Sequence, residues 1–450
     1  MRKPVLESQP KIVIIGGGAA GLSAGFFLKK RGYTNVTILE KENRIGGKCL
    51  SLTVHGKSFD LGANYVTSSY REVHKLARMF NANLYTEGKL RAFDTQTNRF
   101  SSLFRAVTKN KSLLSLGWKS IKYLYKRWRI NRFISPKRPG YAGIAQHPEL
   151  TQSFGDWLQE NGLSDLEVLF EVPVSLMGYG KLREIPAAYA LTYMTNHTFL
   201  DLMLAAVNPA IRGYPQRFTE GYQRLWERVS WELDVRVGAK VTKVVRGEKI
   251  RIHYEATEEI LDHEQTARQY MECDYVFIAT PLYLDALKPF LDLSTEENDL
   301  FEKVLIDPFV VTTYYVPGLE DFTAATFMIP EPHIGQPFVI TRQFADNNLV
   351  SIYTRTLDYQ DSDKEKILKT NREFIKKSLG IELGHYYTYS VFPYFPHVPV
   401  EVFANNFYDQ LEALQGHNQT FYVGGLMNFE LVETITNYSK HLVKNNFPNI

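Results

Sequence analysis

The sequence KIVIIGGGAAG at residues 11–21 joins a short run of β-branched residues to a cluster of glycines. Residues 22–31 continue with a helical pattern, so this stretch predicts a strand, a tight turn and a helix. In the spacing G-x-G-x-x-G, the first glycine permits the turn and the second lets a pyrophosphate approach the backbone. The third lets the helix pack closely on the strand. These roles fall on Gly16, Gly18 and Gly21.

The residue after the next strand supports a dinucleotide site. Residues 35–39 form a second strand pattern that ends at Glu40. A carboxylate about 20 residues after the glycines accepts hydrogen bonds from the hydroxyls of an adenosine ribose. The start of the helix, at Ala19 and Ala20, faces the phosphates. The sequence therefore predicts an α/β fold with a Rossmann-like dinucleotide-binding domain.

The segments after Glu40 distinguish a flavin site from a nicotinamide site. Residues 40–49 read EKENRIGGKC and residues 59–64 read FDLGAN. Both segments resemble the second glycine signature of the flavin-containing amine oxidase superfamily. The resemblance implies that FAD is bound by Lys41, Gly47, Lys48, Gly62, Ala63 and Asn64.

Three downstream segments extend the resemblance. Residues 235–244 alternate as a strand, in which the resemblance assigns the backbone of Val241 to the adenine. Residues 275–281 resemble the strand that closes the FAD domain. Residues 420–425 form a last strand and loop before a helix over about 431–443. The resemblance places Gly424, Gly425 and the helix start at Val432 beside the flavin.

Two departures concern this last loop. The superfamily usually has an acidic residue where this chain has Gly425, so a contact there has to come from the backbone. Members with covalent flavin carry a cysteine near the loop, and this chain has none there. The sequence therefore predicts noncovalent FAD.

Other segments narrow the resemblance. Residues 185–194, 394–398 and 438–443 are similar to the bacterial FAD-dependent isomerases of polyunsaturated fatty acid double bonds. The resemblance implies that a hydride moves between the substrate and flavin N5, and that double bonds of an unsaturated fatty acid or similar apolar acid are isomerised or desaturated. In the segment KLR at 89–91, it assigns Arg91 to the substrate carboxylate.

Two other functions stay open at this stage. One is an FAD-dependent amine oxidase that releases hydrogen peroxide. The other is a flavin-fold protein that binds a ligand without catalysis, which the glycine at position 425 and the basic segment described next both favour. The chain has no zinc or serine-hydrolase motif, so no metal site is predicted.

The charge distribution is uneven although the net charge is only +3. Residues 105–148 contain eleven Lys or Arg and no Asp or Glu, and the rest of the chain has 41 basic against 49 acidic residues. Residues 113–134 have the composition of a basic amphipathic helix. It is either a solvated helical cap or, within residues 105–138, a peripheral contact with anionic membrane. Nucleic acid is not expected, because no recognition fold accompanies the charge.

The composition also limits the cellular setting. No stretch approaches the roughly 18 apolar residues of a membrane-spanning helix. Cys49 and Cys273 are too few for a disulfide framework, and the start Met1–Pro4 does not lead into the apolar core of a signal peptide. These features predict a cytoplasmic protein.

The order of the motifs predicts a discontinuous arrangement. The FAD-binding domain of the amine oxidase type is expected at 1–75, 215–285 and 400–450. A helical cap is expected at 76–214, and a substrate domain with a mixed sheet at 286–399. Residues 261–271 are expected to form a hairpin or loop insertion.

Overall fold

The structure, a computed structural model, describes residues 9–260, 263–316, 325–330, 332–344, 347–356 and 364–450. The start of the chain, used above to argue against a signal peptide, lies outside the described residues. Within them, no helix is both long enough and apolar enough to cross a bilayer.

The strands β1 to β19 are, in chain order, Ile12–Ile15, Val36–Leu39, Ser51–Val54, Lys57–Asp60, Leu84–Thr86, Arg91–Asp94, Arg99–Ser102, Gln216–Phe218, Asp234–Arg236, Ala239–Val245, Ile250–Ile260, His263–Cys273, Tyr275–Ile278, Leu305–Tyr315, Ala325–Ile329, Pro337–Thr341, Leu349–Arg355, Tyr386–His397 and Thr420–Tyr422. The helices α1 to α17 are Ala19–Lys30, Arg71–Met79, Leu103–Thr108, Leu113–Ile130, Pro148–Thr151, Phe154–Glu160, Glu167–Glu171, Ala187–Tyr193, Asn196–Val207, Tyr222–Ser230, Leu284–Leu287, Thr295–Phe301, Lys364–Leu379, Val400–Ala404, Phe407–Ala413, Gly425–Asn428 and Val432–Asn446.

A five-stranded parallel sheet lies beside the first glycine turn. Its strand order is β19-β13-β1-β2-β9, and every neighbouring pair is parallel. β1 and β2 are buried along their whole length, as expected of a parallel sheet covered on both faces. The predicted strand, turn and helix at the first glycines are present as β1 and α1, and the predicted α/β class is confirmed.

One predicted strand is wrong. The residues 235–244, expected to form a single strand, are divided between β9, which lies at the edge of the parallel sheet, and β10, which begins a separate antiparallel sheet of β10, β11 and β12. Gly238 lies between them with a φ of 62°, a conformation that favours glycine. β11 and β12 pair antiparallel over 250–273, so the hairpin expected at 261–271 is longer than predicted, and residues 261–262 between the two strands lie outside the described residues.

A seven-stranded mixed sheet has the order β18-β14-β17-β16-β15-β6-β7. β15 and β6 are parallel, and the other neighbours are antiparallel. Because side chains alternate along a strand, Ile340 and Ile352 belong to a small core with Leu368 of α13, whereas Val339 and Tyr353 face a cavity on the other side. β6 and β7 come from the range predicted as helical cap, and the predicted domain boundaries stay a prediction.

Candidate active site

The segments predicted to bind a dinucleotide lie where the parallel strands end. The N–H of Gly16, directly after β1, donates to the carbonyl of Leu39 at the end of β2 (2.8 Å). The N–H of Val423, directly after β19, donates to the carbonyl of Ile278 in β13 (3.0 Å). The carboxyl ends of these strands therefore meet at one edge, which is where α/β sheets bind their ligands.

The three glycines of the first turn differ in the space around them. Gly16 has a φ of 113°, and a Cβ there would lie 2.8 Å from the carbonyl oxygen of Ala279. A Cβ on Gly21 would lie 2.0 Å from the carbonyl oxygen of Gly16. A Cβ on Gly18 would meet, among the described residues, only Gly47, with its Cα 3.7 Å away. The fold thus requires glycine at 16 and 21, but it leaves open space beside Gly18.

Helix α1 begins with N–H donors that no side chain satisfies in the part of the chain that the structure describes. Its N-cap is Gly18, no side chain caps it, and its first turn contains no acidic residue. Its first intrahelical bond runs from Leu22 to Gly18, so the N–H groups of Ala19, Ala20 and Gly21 have no partner within the helix. They form a site for an anion such as a diphosphate.

Glu40 is held beside this turn by the backbone. Its buried carboxylate accepts hydrogen bonds from the N–H groups of Gly17 (2.6 Å) and Glu42 (2.9 Å). The side chain of Lys41 lies at the surface, 3.7 Å from the carboxylate of Glu42. Of these two predicted cofactor contacts, Glu40 is therefore beside the glycine turn, and the ammonium group of Lys41 is in solvent.

Val241 lies on the strand that starts beside Glu40. The N–H of Ala239 donates to the carbonyl of Glu40 (2.8 Å). The pairing of β10 with β11 is then interrupted by a bulge between Val241 and Lys243, and a bulge leaves backbone groups outside the regular ladder. The backbone near Val241 is therefore available close to Glu40, whose carboxylate is predicted to bind the ribose.

The second glycine segment crosses the first. The N–H of Gly46 donates to the carbonyl of Gly17 (2.9 Å). The carbonyl of Lys48 accepts from the N–H of Ala63 (3.0 Å), and a Cβ on Gly62 would lie 1.8 Å from that carbonyl oxygen. The predicted cofactor residues at 47–48 and 62–64 therefore lie against one another.

Lys48 forms an ion pair with Glu430, a residue that the sequence did not indicate. The buried carboxylate of Glu430 also accepts from the backbone N–H of Phe395. Burial raises the pKa of Glu430, and the neighbouring Lys48 opposes that effect. A Cβ on Gly425 would lie 2.8 Å from the Cβ of Glu430. Where the superfamily usually has an acidic residue, this chain therefore has Gly425, and the side chain of Glu430 packs against it.

The last helix begins at the same side of the protein as the first. The hydroxyl of Ser23 in α1 donates to that of Thr436 in α17 (3.2 Å), and the N–H of Ile450 donates to the carbonyl of Arg31 (3.0 Å). The two helices therefore run in the same direction. Their N-termini, Ala19 in α1 and Val432 in α17, both carry the partial positive charge of a helix start.

These residues fit FAD. The open space beside Gly18 and the free N–H groups of α1 suit the diphosphate, and the carboxylate of Glu40 suits a ribose. The hydroxyl of Thr280, after β13, is buried with no hydrogen-bond partner among the described residues. An unsatisfied buried polar group at a ligand edge is expected where the ligand supplies the partner.

A narrow cavity lies between this site and the mixed sheet. It offers about 40 Å³ to water-sized molecules. Most of its lining is apolar or aromatic, and among the described residues that form it none is acidic. The lining residues are Lys48, Leu61, Gly62, Asn64, Tyr65, Leu176, Met177, Arg217, Phe309, Ala325, Val339, Thr341, Tyr353, Phe392 and Tyr394.

Arg217 is the most deeply buried cation of this lining, with 1% of its surface exposed. Its Nε donates to the carboxylate of Glu87, and its guanidinium carbon lies 4.4 Å from the ring centre of Tyr65. Its Nη1 has no hydrogen-bond partner among the described residues. Burial, the largest single effect, lowers the pKa of Arg217, but Glu87 together with the neighbouring tyrosines outweighs burial, and the pKa lies well above its ordinary value. The cavity therefore contains a permanently charged donor with an unused N–H group.

Arg91 lies outside this lining. It is the first residue of β6, half-buried, and pairs with Thr326 in β15 and Ser102 in β7. Its predicted role as the carboxylate anchor stays a prediction. His397, in the segment 394–398 that carries part of the resemblance, has a structural partner, because its Nδ1 lies 2.7 Å from the carbonyl oxygen of Phe395.

Known proteins match most of this chain. The sequence profile of the family described as flavin containing amine oxidoreductase matches residues 19–314. An uncharacterized protein of Acanthamoeba polyphaga mimivirus is 25% identical over 93% of this chain and 89% of its own length. The polyenoic fatty acid isomerase of Ptilota filicina is 24% identical over 42% of this chain and 41% of its own length.

Solved structures have the same fold. A CLA-producing fatty acid isomerase from P. acnes superposes with a TM-score of 0.81 at 23% identity, over 97% of this chain and 99% of that one. The cyclohexylamine oxidase of Brevibacterium oxydans superposes with a TM-score of 0.66 at 13% identity, over 97% of this chain and 98% of that one. Both likenesses establish the fold, an FAD-binding domain of the amine oxidase type with a mixed-sheet second part.

Proposed function

The chain belongs to the flavin-containing amine oxidoreductase family, and from this premise we propose that it moves a hydride between flavin N5 and an unsaturated fatty acid or similar apolar acid. The net result is isomerisation, or alternatively desaturation, of double bonds. Membership of the family makes the protein a flavin-dependent oxidoreductase. The substrate is inferred from the cavity.

The apolar lining of the cavity, with an unused donor and no carboxylate among the described residues, is the observation that carries the proposal. Its described lining combines apolar and aromatic side chains with two cations, Lys48 and Arg217, and contains no carboxylate. Lys48 is paired with Glu430 and Arg217 with Glu87, so the lining has little net charge. It offers an anion the unused Nη1 donor of Arg217, and it offers an ammonium group no carboxylate. It therefore favours an apolar acid over an amine.

We assign the carboxylate contact to Arg217. Glu87 occupies the Nε of this guanidinium and leaves Nη1 for a second acceptor. A carboxylate at that position would form a charge-assisted hydrogen bond inside the protein, where such bonds are strong. Arg91 remains the competing assignment.

When bound, FAD accepts and returns a hydride at N5. The tasks that remain for the protein are to orient the chain, to exclude water and to hold the carboxylate. The narrow apolar lining excludes water, and the flexible side chain of Met177 can move aside for a chain-like substrate.

The flavin is proposed to bind without a covalent bond. The two cysteines, Cys49 and Cys273, are both buried, and burial raises the pKa of each thiol to about 12. A protonated, buried thiol is a poor nucleophile. The fatty acid isomerases of Ptilota filicina and P. acnes support the proposed chemistry as relatives in sequence and in fold.

The deciding experiment is an anaerobic absorbance spectrum of the purified protein before and after addition of polyunsaturated fatty acids. We expect a new conjugated-diene band without lasting bleaching of the flavin, which is the sign of redox-neutral isomerisation. Bleaching that persists until oxygen enters would instead indicate desaturation. If no lipid changes either band and an amine bleaches the flavin and releases hydrogen peroxide, the proposal is wrong and the protein is an amine oxidase.

A colourless protein that takes up no added FAD would contradict both enzymatic functions. It would favour a flavin-fold protein that binds a ligand without catalysis.

A further inference from the structure

Helix α4 has an apolar face directed at solvent. Leu114, Trp118, Ile121, Tyr125 and Trp128 recur at spacings of three and four residues, so they form one stripe along the helix. Their exposed fractions range from 54% for Tyr125 to 88% for Leu114. Large apolar side chains scattered singly on a surface are ordinary, but a continuous exposed stripe marks an interaction site.

The opposite face of α4 is the one that packs on the protein. The hydroxyl of Tyr123 donates to the carbonyl of Met194 (2.6 Å), and the Nε of Arg127 donates to the carbonyl of Leu191 (2.8 Å). Both contacts are buried. The helix is therefore fixed by its own inner face, and the exposed stripe is not needed to hold it in place.

Cations lie along one flank of the stripe. Lys122, Lys126 and Arg129 follow it at helical spacing, and the surrounding segment 105–148 contains no Asp or Glu. Lys119, further round the helix, is paired with Asp165. The surface thus combines aromatic and aliphatic side chains with a strip of positive charge, which is the composition of helices that lie in the headgroup region of a bilayer.

We propose that this face of α4 docks on an anionic lipid bilayer, with the stripe inserted at the level of the headgroups. Trp and Tyr favour that level because their rings are apolar and their N–H and O–H groups remain hydrated. A second copy of this chain is a poorer occupant, because self-association through this face would bring two strips of positive charge together. The charge complements anionic lipid instead.

The position of α4 connects the proposed membrane surface to the cavity. α8, which α4 contacts through Leu191, contains Tyr193, whose ring lies 5.7 Å from that of Tyr179. The ring centre of Tyr179 lies 5.3 Å from that of Tyr394, which lines the cavity. If the proposed function holds, the protein takes its apolar acid from the membrane on which it rests. The docking itself does not depend on that function.

The test is co-sedimentation of the full-length, flavin-loaded protein with vesicles in the absence of substrate. One set of vesicles is phosphatidylcholine alone, and the other is phosphatidylcholine mixed with phosphatidylglycerol. We expect binding to the anionic vesicles that weakens with salt and little binding to the neutral ones. Lys122→Gln and Lys126→Gln should each weaken binding about fivefold. The double variant Trp118→Asn with Trp128→Asn should weaken it about tenfold or more.

Trp231 provides a matched control. It is 69% exposed, the same fraction as Trp118, but it lies directly after α10. Trp231→Asn should bind vesicles as the wild type does. Equal, negligible binding to both vesicle types would overturn the proposal, as would an equal loss in Trp231→Asn. A dimer seen by light scattering that dissociates in the double variant would assign the face to a second copy of the chain.

Discussion

The guanidinium of Arg217 is bound to the carboxylate of Glu87, 130 residues earlier in the chain, and one of its nitrogens remains without a partner among the described residues. Arg217 lies in β8, and Glu87 lies directly after β5. The two strands are paired with each other in a small antiparallel sheet. Glu87 neutralises the charge of Arg217, and Arg217 also lines the cavity.

Replacing Arg217 by Lys should remove the preference for an acid. Lysine keeps a positive charge beside Glu87 but loses the planar fork that serves two acceptors at once. We expect kcat/KM for a polyunsaturated fatty acid to fall about 10- to 100-fold, the range for a hydrogen bond to a charged group. The methyl ester of the same acid, which has no carboxylate, should be affected little.

Arg91→Lys is the comparison for this experiment. If Arg217 holds the carboxylate, Arg91→Lys should keep the ratio of acid to ester activity near that of the wild type. A loss of acid preference in Arg91→Lys, with none in Arg217→Lys, would show that Arg91 is the anchor.

Glu87→Gln should destabilise the protein. Removing one partner of a buried ion pair leaves the other charge uncompensated, at a cost of about 3 to 5 kcal/mol. The measurement is the free energy of unfolding in urea with the flavin bound. Glu184→Gln is the control, since its pair with Lys181 is solvent-exposed and exposed pairs contribute about 1 kcal/mol at most. Similar losses in the two variants would mean that the Arg217–Glu87 pair is not the buried unit described.

Local patterns in the sequence predicted the strands, turn and helix around the first glycines, because the determinants of these elements are close together in the chain. The turn at residues 16–21 and the strand that ends at Glu40 are read from neighbouring residues. The switch of the chain between sheets at Gly238 was missed, because an alternating pattern looks the same in either sheet. The pairing of Arg217 with Glu87 carries no local signal at all, since only the tertiary fold brings the two residues together.

The sequence predicted the basic helix but not the face that it buries. Its periodicity predicted an amphipathic helix at 113–134, and the structure has α4 over Leu113–Ile130. Periodicity cannot say which face packs on the protein. The outward face contains Trp118 and Trp128, whereas Tyr123 and Arg127 point inward. This orientation follows from the contacts with α8, which lie some 60 to 70 residues away in sequence.

Gly18→Ala should separate flavin binding from folding. A methyl group at residue 18 has ordinary contact distances within the protein, 3.7 Å to Gly47, but it would occupy the space proposed for the diphosphate. We expect a folded protein with little or no bound flavin, measured by the ratio of flavin to protein absorbance together with circular dichroism. Full flavin content in Gly18→Ala would place the diphosphate elsewhere.

Substitutions at Gly21 and Gly117 provide two comparisons for this experiment. Gly21→Ala should disrupt the fold, because its Cβ would lie 2.0 Å from the carbonyl oxygen of Gly16. Gly117→Ala, on α4 with no described atom within 4 Å of the added methyl, should retain both fold and flavin. It is expected to be slightly more stable, since alanine is favoured over glycine within a helix by about 1 kcal/mol.

Glu433 should make stability fall as the pH rises. Its carboxyl group is buried in the first turn of α17 and accepts hydrogen bonds from the N–H groups of Glu72 and Val73 at the start of α2. Burial raises the pKa of Glu433 to about 7, although those N–H groups oppose the effect. Between its ordinary value and pH 7, the unfolded chain loses the proton before the folded protein does. Stability is therefore lost over this interval, by roughly 3 kcal/mol for such a shift.

Glu433→Gln isolates this contribution. Glutamine keeps an oxygen acceptor for α2 and cannot ionise, so the variant should match the wild type near pH 4 and exceed it in unfolding free energy near pH 8. The difference between the two proteins, measured at both pH values by urea unfolding, removes the effect of other titrating groups. Glu401→Gln, at an exposed position of α14, should follow the wild type throughout. If Glu433→Gln is instead less stable than the wild type at pH 8, the carboxylate is ionised in the folded protein and stabilises the start of α2 through its charge.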